Sequence, residues 1–110
     1  TFAIFALRRF VSRMAAPSVT HDAAKGIFAL HVEGVAEPVT AEYDTAKIAQ
    51  KVLDIQHTNT PVALRGKGLA AVVCDAAYDF AQQESLEFTP TCSYVLQAYL
   101  PKRKQRDSAL

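Results

Sequence analysis

Cysteine, net charge and long apolar runs are all scarce in this sequence, and each scarcity excludes a class of protein. The two cysteines, Cys74 and Cys92, are too few for a disulfide framework and do not form a Cys-x-x-Cys pair. They predict reduced thiols in an intracellular compartment. The net charge of +1 gives no reason to expect a nucleic-acid partner. No apolar run approaches the roughly 20 residues of a membrane-spanning helix.

Histidine is also sparse, and its spacing is not that of a metal site. The three histidines, His21, His31 and His57, are well separated in the chain, whereas the ligands of a structural zinc ion come in closely spaced pairs. We therefore expect no metal.

The composition that remains is that of one soluble globular domain. Of the 110 residues, 50% are hydrophobic and 21% are charged, a balance typical of folded soluble proteins. A chain of this length forms one domain with a modest core. We expect a single sheet with few helices.

The two ends of the chain differ from the rest. Residues 1–13 are apolar with three arginines and no acidic residue, which suits a mitochondrial transit peptide. Because Met14 and the residues after it resemble an ordinary start, residues 1–13 are alternatively a translated leader or a gene-model artefact. We therefore expect the globular domain to occupy residues 14–101.

Residues 102–110 are expected to form a solvated basic tail; a short contact with nucleic acid or an anionic surface is the alternative. The terminal tripeptide Ser108-Ala109-Leu110 resembles a peroxisomal address. The expected location is therefore cytoplasmic or peroxisomal, ahead of mitochondrial.

Alternation of apolar and polar residues predicts antiparallel strands over residues 28–33 and 39–44. Polar and glycine-containing segments at 21–26 and 34–38 predict the turns that precede them. Together with a strand at 51–57, these elements predict a meander.

The strand predicted at 51–57 carries apolar residues on one face. Leu53 and Ile55 are expected on that face, and Val52, Asp54 and Gln56 on the other.

The period changes to that of a helix after Gly68. Apolar residues recur with helical spacing from Leu69 to Phe80, which predicts a helix of three turns with a buried face. A short strand is predicted at 87–91. A short helix is predicted at 93–100, and Pro101 is expected to end it.

The segment Arg65-Gly66-Lys67-Gly68-Leu69-Ala70 lies where a loop meets the long helix. The first turn of a helix has unpaired N–H groups and a partial positive charge, so an anion binds there readily. Two glycines allow a phosphate to approach the backbone, and two cations add charge. A glycine turn that only opens the helix is the alternative. The pattern is neither a Walker loop nor a Rossmann fingerprint.

These six residues match the Arg/Gln-x-x-Gly-x-Gly/Ala pattern of the GNAT acetyltransferase superfamily. The sequence resembles in particular the small single-domain GNAT-like group, and its plant members most of all. The motifs that carry this resemblance lie between about residues 18 and 101: Asp54-Ile55-Gln56-His57-Thr58, Pro61, Arg65 to Ala70, Ala76-Ala77, Asp79-Phe80 and Thr91-Cys92-Ser93-Tyr94-Val95.

The resemblance implies an α/β fold whose mixed sheet splays between its fourth and fifth strands. Acetyl-CoA would enter the split, with its pyrophosphate on the backbone of the loop and its pantetheine along the fourth strand. The implied cofactor-binding residues are Arg65, Gly66, Lys67, Gly68, Leu69, Ala70, Ile55, Gln56 and Ser93.

Two residues are candidates for chemistry. Cys92 precedes a predicted helix, where a thiol can ionise more readily, and the resemblance places it near the thioester. It either accepts the acetyl group or positions the CoA sulfur; a small packed residue is the alternative. His57 is a candidate general base for an acceptor amine, or a histidine that only bonds the next loop.

The function expected from this sequence is transfer of an acetyl group from acetyl-CoA to an unidentified amine, with no other cofactor. Two alternatives remain: a CoA-binding module without efficient transfer, and a small scaffold that does not bind CoA.

Overall fold

A computed structural model describes residues 18–109 of the chain. The predictions for residues 1–13 and for the last residue of the terminal tripeptide, Leu110, lie outside the described residues. The described part has six strands and two long helices. The strands are β1 Val19–Asp22, β2 Ile27–Leu30, β3 Val39–Tyr43, β4 Val52–Leu53, β5 Ile55–Asn59 and β6 Glu87–Phe88. Short 3₁₀ helices span Thr45–Gln50 and Val62–Leu64.

The predicted meander is present as an antiparallel sheet with the order β1-β2-β3-β5. The turn expected at 21–26 begins later, because His21 and Asp22 pair with Phe28 and Ile27 and so extend β1. The strand predicted over residues 28–33 is shorter than expected and ends at Leu30. The sheet therefore has short outer strands, and β3 and β5 form its longer pair.

The strand predicted at 51–57 is divided into two parts that pair with different neighbours. β4 pairs in parallel with β6, whereas β5 pairs antiparallel with β3. The four-stranded antiparallel sheet is thus continued by a separate parallel pair, and together they give the mixed strand arrangement that the resemblance implied. Leu53, Asp54 and Ile55 are all at most 1% exposed, so the prediction that Asp54 faces outward was wrong. A strand that changes partner between two residues does not keep a simple alternation.

A β-bulge disturbs the alternation again inside β5. Tyr43 is opposite Ile55 and Glu42 is opposite His57, so Gln56 is an extra residue on β5. Thr58 is opposite the buried Ala41 as a result. The bulge therefore turns Thr58 toward the buried face of the sheet and leaves His57 on the other face.

The predicted long helix is confirmed as α1, Leu69–Gln83, and it covers the buried face of the sheet. Its fully buried residues follow the apolar periodicity of the sequence and are Val73, Cys74, Ala77 and Ala81. Small side chains at three of these four positions allow the helix to approach the sheet closely. Leu53, Ile55, Val39 and Val95 complete the centre of the core.

The prediction that Pro101 ends the last helix was wrong. The second long helix, α2, covers residues 93–108 and contains a π-helical segment, Val95–Tyr99, followed by an α-helical segment, Leu100–Ser108. The Leu100 N–H donates to the Val95 carbonyl, five residues back. Pro101 then occupies the first turn of the next segment, where a missing N–H and a fixed φ are tolerated.

Residues 102–108, which were expected to form a solvated tail, continue α2 as a helix that Arg103 holds against α1. Its guanidinium binds Asp75, Asp79 and Asp107 at 2.9 to 3.1 Å. It also lies 4.3 Å over the ring of Tyr78. Only 13% of the Arg103 side chain is exposed. The basic segment is therefore helical and attached to α1 through Arg103, while its other side chains from Lys102 to Ala109 are exposed.

Replacing Arg103 is expected to destabilise the domain. Arg103→Met keeps the aliphatic stem but leaves the carboxylates of Asp75 and Asp79 without this partner, and should lower the free energy of unfolding by about 2 kcal/mol. Urea unfolding monitored by circular dichroism measures the change. Lys104→Met on the same helix is the matched control and should change it by less than about 0.5 kcal/mol. Equal losses in the two variants would show that the ion pairs do not hold α2.

Candidate functional site

The sheet opens on one side of β5, and this split is the centre of the candidate site. Backbone bonds join the 87–92 segment to the β4–β5 segment only as far as Ile55, whose carbonyl accepts from the N–H groups of both Thr91 and Cys92 at 3.1 and 2.9 Å. The chain then turns into α2. Among the described residues, the edge of β5 that faces away from β3 therefore has no partner strand beyond Ile55.

The buried carboxylate of Asp54 fixes the point at which the split begins. It accepts hydrogen bonds from the Thr91 N–H and the Thr91 hydroxyl, both at 2.9 Å. Its other oxygen binds the Lys47 ammonium at 2.7 Å. Burial favours the neutral acid, but the bonds from Lys47 and Thr91 outweigh it and lower the pKa of Asp54. The carboxylate thus binds Thr91, near the end of the 87–92 segment, to the junction of β4 and β5.

Cys92 lies at the inner end of the split and caps α2. Its carbonyl accepts from the Leu96 N–H at 2.9 Å, and its Sγ lies 3.6 Å from the hydroxyl oxygen of Thr58. Burial opposes ionisation of the thiol. Bonds from the backbone N–H groups of Val95 and Tyr94 and from Thr58 outweigh burial, so the pKa of Cys92 is lowered.

The other thiol has the opposite character. Cys74 is fully buried in α1, and burial raises its pKa to about 12. The interpretation of Cys74 as a core residue fits this burial, and the two cysteines are chemically distinct.

His57 lies near this site in sequence but on the other face of the sheet. It is exposed and is opposite Glu42 in the register with β3, while the adjacent Thr58 meets Cys92. It does not end its strand, which continues to Asn59. Its role as a general base stays a prediction. Ser93, the first residue of α2, and Gln56, the bulge residue, are both outside the buried core, beside the split.

The glycine loop has the backbone that its sequence predicts. Gly66 and Gly68 adopt φ values of +80° and +73°, in the left-handed region that side chains disfavour. Gly68 caps the N-terminus of α1, and a Cβ on either glycine would meet nothing within 4 Å. The backbone is therefore open to solvent at the N-terminus of α1, where the helix presents unpaired N–H groups.

The cationic side chains of the loop differ in their attachment. The Arg65 Nε donates to the Thr60 carbonyl at 3.0 Å, which holds that side chain against the preceding loop. Lys67 is exposed. A depression of about 200 Å³ at this position is lined by both glycines, by Leu69 and Ala70, and by Tyr94 of α2. Tyr94 therefore connects the loop to the helix that Cys92 caps.

Reasoning from the sequence missed one residue of the site and left another without a defined role. Asp54 was expected on the face opposite Leu53 and Ile55, and Thr58 was only one of several polar candidates near His57. An aspartate between two apolar strand residues is a usable signal for a buried carboxylate, but the partner of Thr58 depends on the bulge at Gln56. Within residues 18–109, no three potential metal ligands converge, and no helix is both long and apolar enough to cross a bilayer.

Cys92 should react selectively with thiol reagents. Because its pKa is lowered and that of Cys74 is raised, iodoacetamide should alkylate Cys92 in the folded protein with a pH midpoint below 9.0, its ordinary pKa. Peptide mass spectrometry over a pH series measures this. Thr58→Val should move the midpoint upward, whereas Thr60→Val should leave it unchanged. A midpoint at or above the ordinary value would contradict the described contacts.

The Asp54 carboxylate should make stability depend on pH. Since its folded pKa is lowered, its contribution is complete above the unfolded pKa of about 3.9 and is lost as pH falls through the folded value. Asp54→Asn should cost about 2 kcal/mol at pH 7. This difference from wild type should shrink below pH 4, as measured by urea unfolding at pH 7 and pH 3.

Asp44→Asn is the control for that experiment. The Asp44 carboxylate accepts from the Ala46 N–H, and asparagine can replace it as a cap at a cost of a few tenths of a kcal/mol. The role given to the buried carboxylate would be refuted if Asp54→Asn lowered the free energy of unfolding no more than Asp44→Asn does, or if its effect did not change with pH.

Comparison with known sequences agrees with this geometry. A family model described as GCN5-related N-acetyl-transferase matches residues 27–109. The chain is also similar to Protein NATD1 of Xenopus tropicalis, with 34% identity over 77 residues that cover 70% of this chain and 69% of that protein. Protein NATD1 of Mus musculus and of Homo sapiens are each 32% identical over 77 residues, which cover 70% of this chain and 68% and 66% of those proteins. The matched family residues include the glycine loop, the split and the whole of α2, and the chain belongs to the GCN5-related N-acetyltransferase family.

Proposed function

We propose that this protein binds acetyl-CoA at the glycine loop and the split, and transfers its acetyl group to an amine. The observation that carries the proposal is the position of Tyr94, which lines the depression beside Gly66 and Gly68 and lies two residues after Cys92. The start of α2 thus has one residue beside the loop and, two positions earlier, the thiol, and we expect an extended ligand to contact both. The family is one that generally uses acetyl-CoA.

Each part of the site suits one part of the donor. The open backbone at Gly66 and Gly68 and the first turn of α1 suit a pyrophosphate, because their N–H groups and the helix dipole favour negative charge. Lys67 adds an exposed cation at the rim. The unpaired edge of β5 from Gln56 suits the amide groups of pantetheine, which can bond to it as an additional strand would.

In this proposal, Cys92 acts on the thioester at the end of pantetheine. The Cys92 thiolate would attack the acetyl carbonyl carbon, forming an S–C bond as the bond to the CoA sulfur breaks, and CoA would leave as a thiolate that takes up a proton. The acceptor amine would then attack the acetyl group, and the Cys92 thiolate would leave. N–H groups of Tyr94 and Val95 stabilise the negative sulfur before the first attack and after the last step.

His57 would serve as the base for the acceptor. It faces the side of the sheet opposite Thr58, and it is exposed beside Glu42. For this role, an amine would have to pass the imidazole and enter the split to reach the acetyl group on the face of Thr58 and Cys92. His57→Gln should then lower the turnover rate and leave acetyl-CoA binding unchanged.

Binding of acetyl-CoA should depend on the glycine loop. Titration calorimetry of the wild-type protein should detect it in the micromolar range or tighter, and Gly68→Val should weaken it by at least about tenfold because a side chain would stand where phosphate approaches. Gly34→Val is the matched control: Gly34 also has positive φ, +85°, and a Cβ at that position would meet nothing within 4 Å. It carries the same backbone strain away from the site.

Failure of the folded wild-type protein to bind acetyl-CoA would refute the proposal and would favour a scaffold with this fold. Binding without transfer to any primary amine tested would favour a CoA-binding module without efficient transferase activity.

The role of Cys92 is tested without knowledge of the acceptor. Mixing the protein with acetyl-CoA alone should release CoA and add one acetyl group to the Cys92 peptide, as detected by mass spectrometry. Cys92→Ala should abolish that adduct while retaining acetyl-CoA binding. If acetyl transfer persisted at full rate in Cys92→Ala, the amine would attack the donor directly and the nucleophilic role would be excluded.

A further inference from the structure

A second cavity, of about 300 Å³, adjoins the glycine loop on the side of α2. Gly68 and Tyr94 line both this cavity and the depression described above, so the two are adjacent at the N-terminus of α1. Ala71 and Ala98 keep the cavity open, because neither side chain extends beyond Cβ. The cavity lies outside the split and is not lined by Cys92, and neither acetyl transfer nor pyrophosphate binding accounts for it.

The remaining wall of the cavity is cationic. It includes three basic side chains of α2, Lys102, Arg103 and Arg106. Among residues 18–109, no carboxylate lines the cavity. Asp75, Asp79 and Asp107 bind the two arginines at 2.8 to 3.2 Å but do not line the cavity. The charged side chains that line the cavity itself are therefore all basic.

The three cations are not equally available. Arg103 uses its Nε and both terminal nitrogens on Asp107, Asp75 and Asp79, so it mainly supports the helix. Arg106 is 57% exposed and uses one terminal nitrogen, on Asp75. Lys102 is exposed and makes no ion pair within residues 18–109. Lys102 and Arg106 thus have N–H donors to offer a ligand.

We propose that this cavity binds the 3′-phosphate of coenzyme A, with Lys102 and Arg106 as the residues that select the phosphorylated nucleotide over dephospho-CoA. This inference rests on the proposed function. In coenzyme A the 3′-phosphate is separated from the pyrophosphate by a single ribose, and here the cationic cavity adjoins the pyrophosphate loop at Gly68, which lines both. A dianionic phosphate beside two cations forms charge-assisted bonds in a site already positive from the helix dipole.

The arrangement also gives a function to the last helix. A π-helical segment carries the chain past Pro101 without breaking α2, and the Arg103 ion pairs fix that helix against α1. Lys102 and Arg106 lie four residues apart and therefore on one face of α2. The helix that closes the fold thus places two cations one turn apart at the same end of α1.

The test compares two ligands that differ by one phosphate, CoA and dephospho-CoA, by titration calorimetry at low salt. Wild-type protein should bind CoA about tenfold to a hundredfold more tightly than dephospho-CoA, because hydrogen bonds to a charged group contribute a free energy of that size. Lys102→Gln with Arg106→Gln should weaken CoA binding by nearly that factor and leave dephospho-CoA binding unchanged. Lys104→Gln, which removes a cation from the same helix but lines a different groove, should alter neither.

The outcomes separate this inference from the function on which it rests. Equal affinities of the wild-type protein for CoA and dephospho-CoA would overturn the 3′-phosphate site and leave the pyrophosphate loop intact. Absence of binding to both ligands would overturn the proposed function itself. Because Arg106 also bonds Asp75, Lys102→Gln alone is a second variant that disturbs none of the described ion pairs. If both Lys102→Gln and the double variant kept the wild-type preference for CoA over dephospho-CoA, the assignment to these residues would be contradicted.

Discussion

The site depends on one buried carboxylate, that of Asp54. A charged group with 1% of its surface exposed is tolerated only when bonds replace its lost hydration. Lys47 and the two donors of Thr91 replace it. Because Thr91 directly precedes Cys92, these bonds hold the thiol at the point where β5 and the β6 segment separate. Without this tie, the split would have no fixed inner end.

The bulge at Gln56 determines which side chains meet at that point. In a regular strand, Ile55 and Thr58 would face opposite sides of the sheet. The extra residue places both on the side covered by α1, so that the Thr58 hydroxyl reaches Cys92 while His57 faces outward. The bulge thus explains both the contact of Thr58 with the thiol and the outward position of His57. Both residues lie next to the edge of β5 that has no partner strand beyond Ile55.

The two helices have complementary roles around this frame. α1 begins at the glycine loop and supplies unpaired N–H groups, while α2 begins after Cys92 and supplies N–H groups to its sulfur. Both helix N-termini therefore favour negative charge, which in the proposed function is that of a phosphate at α1 and of a thiolate at α2. Arg103 holds the two helices together by binding acids on α1. This contact turns a basic sequence that resembled a tail into one wall of a cavity next to the loop.

The sequence by itself determined the elements that depend on local periodicity and backbone freedom. Alternation predicted the antiparallel strands, the helical period predicted α1, and Gly66 and Gly68 predicted a turn that only such residues adopt readily. Tertiary structure alone decided the rest, because burial of Asp54, the face of Thr58 and the continuation of α2 past Pro101 each require a partner distant in the chain. Asp54 needs Thr91, Thr58 needs the register with β3, and the segment after Pro101 needs the acids of α1. Local sequence carries no information about such partners until packing brings them together.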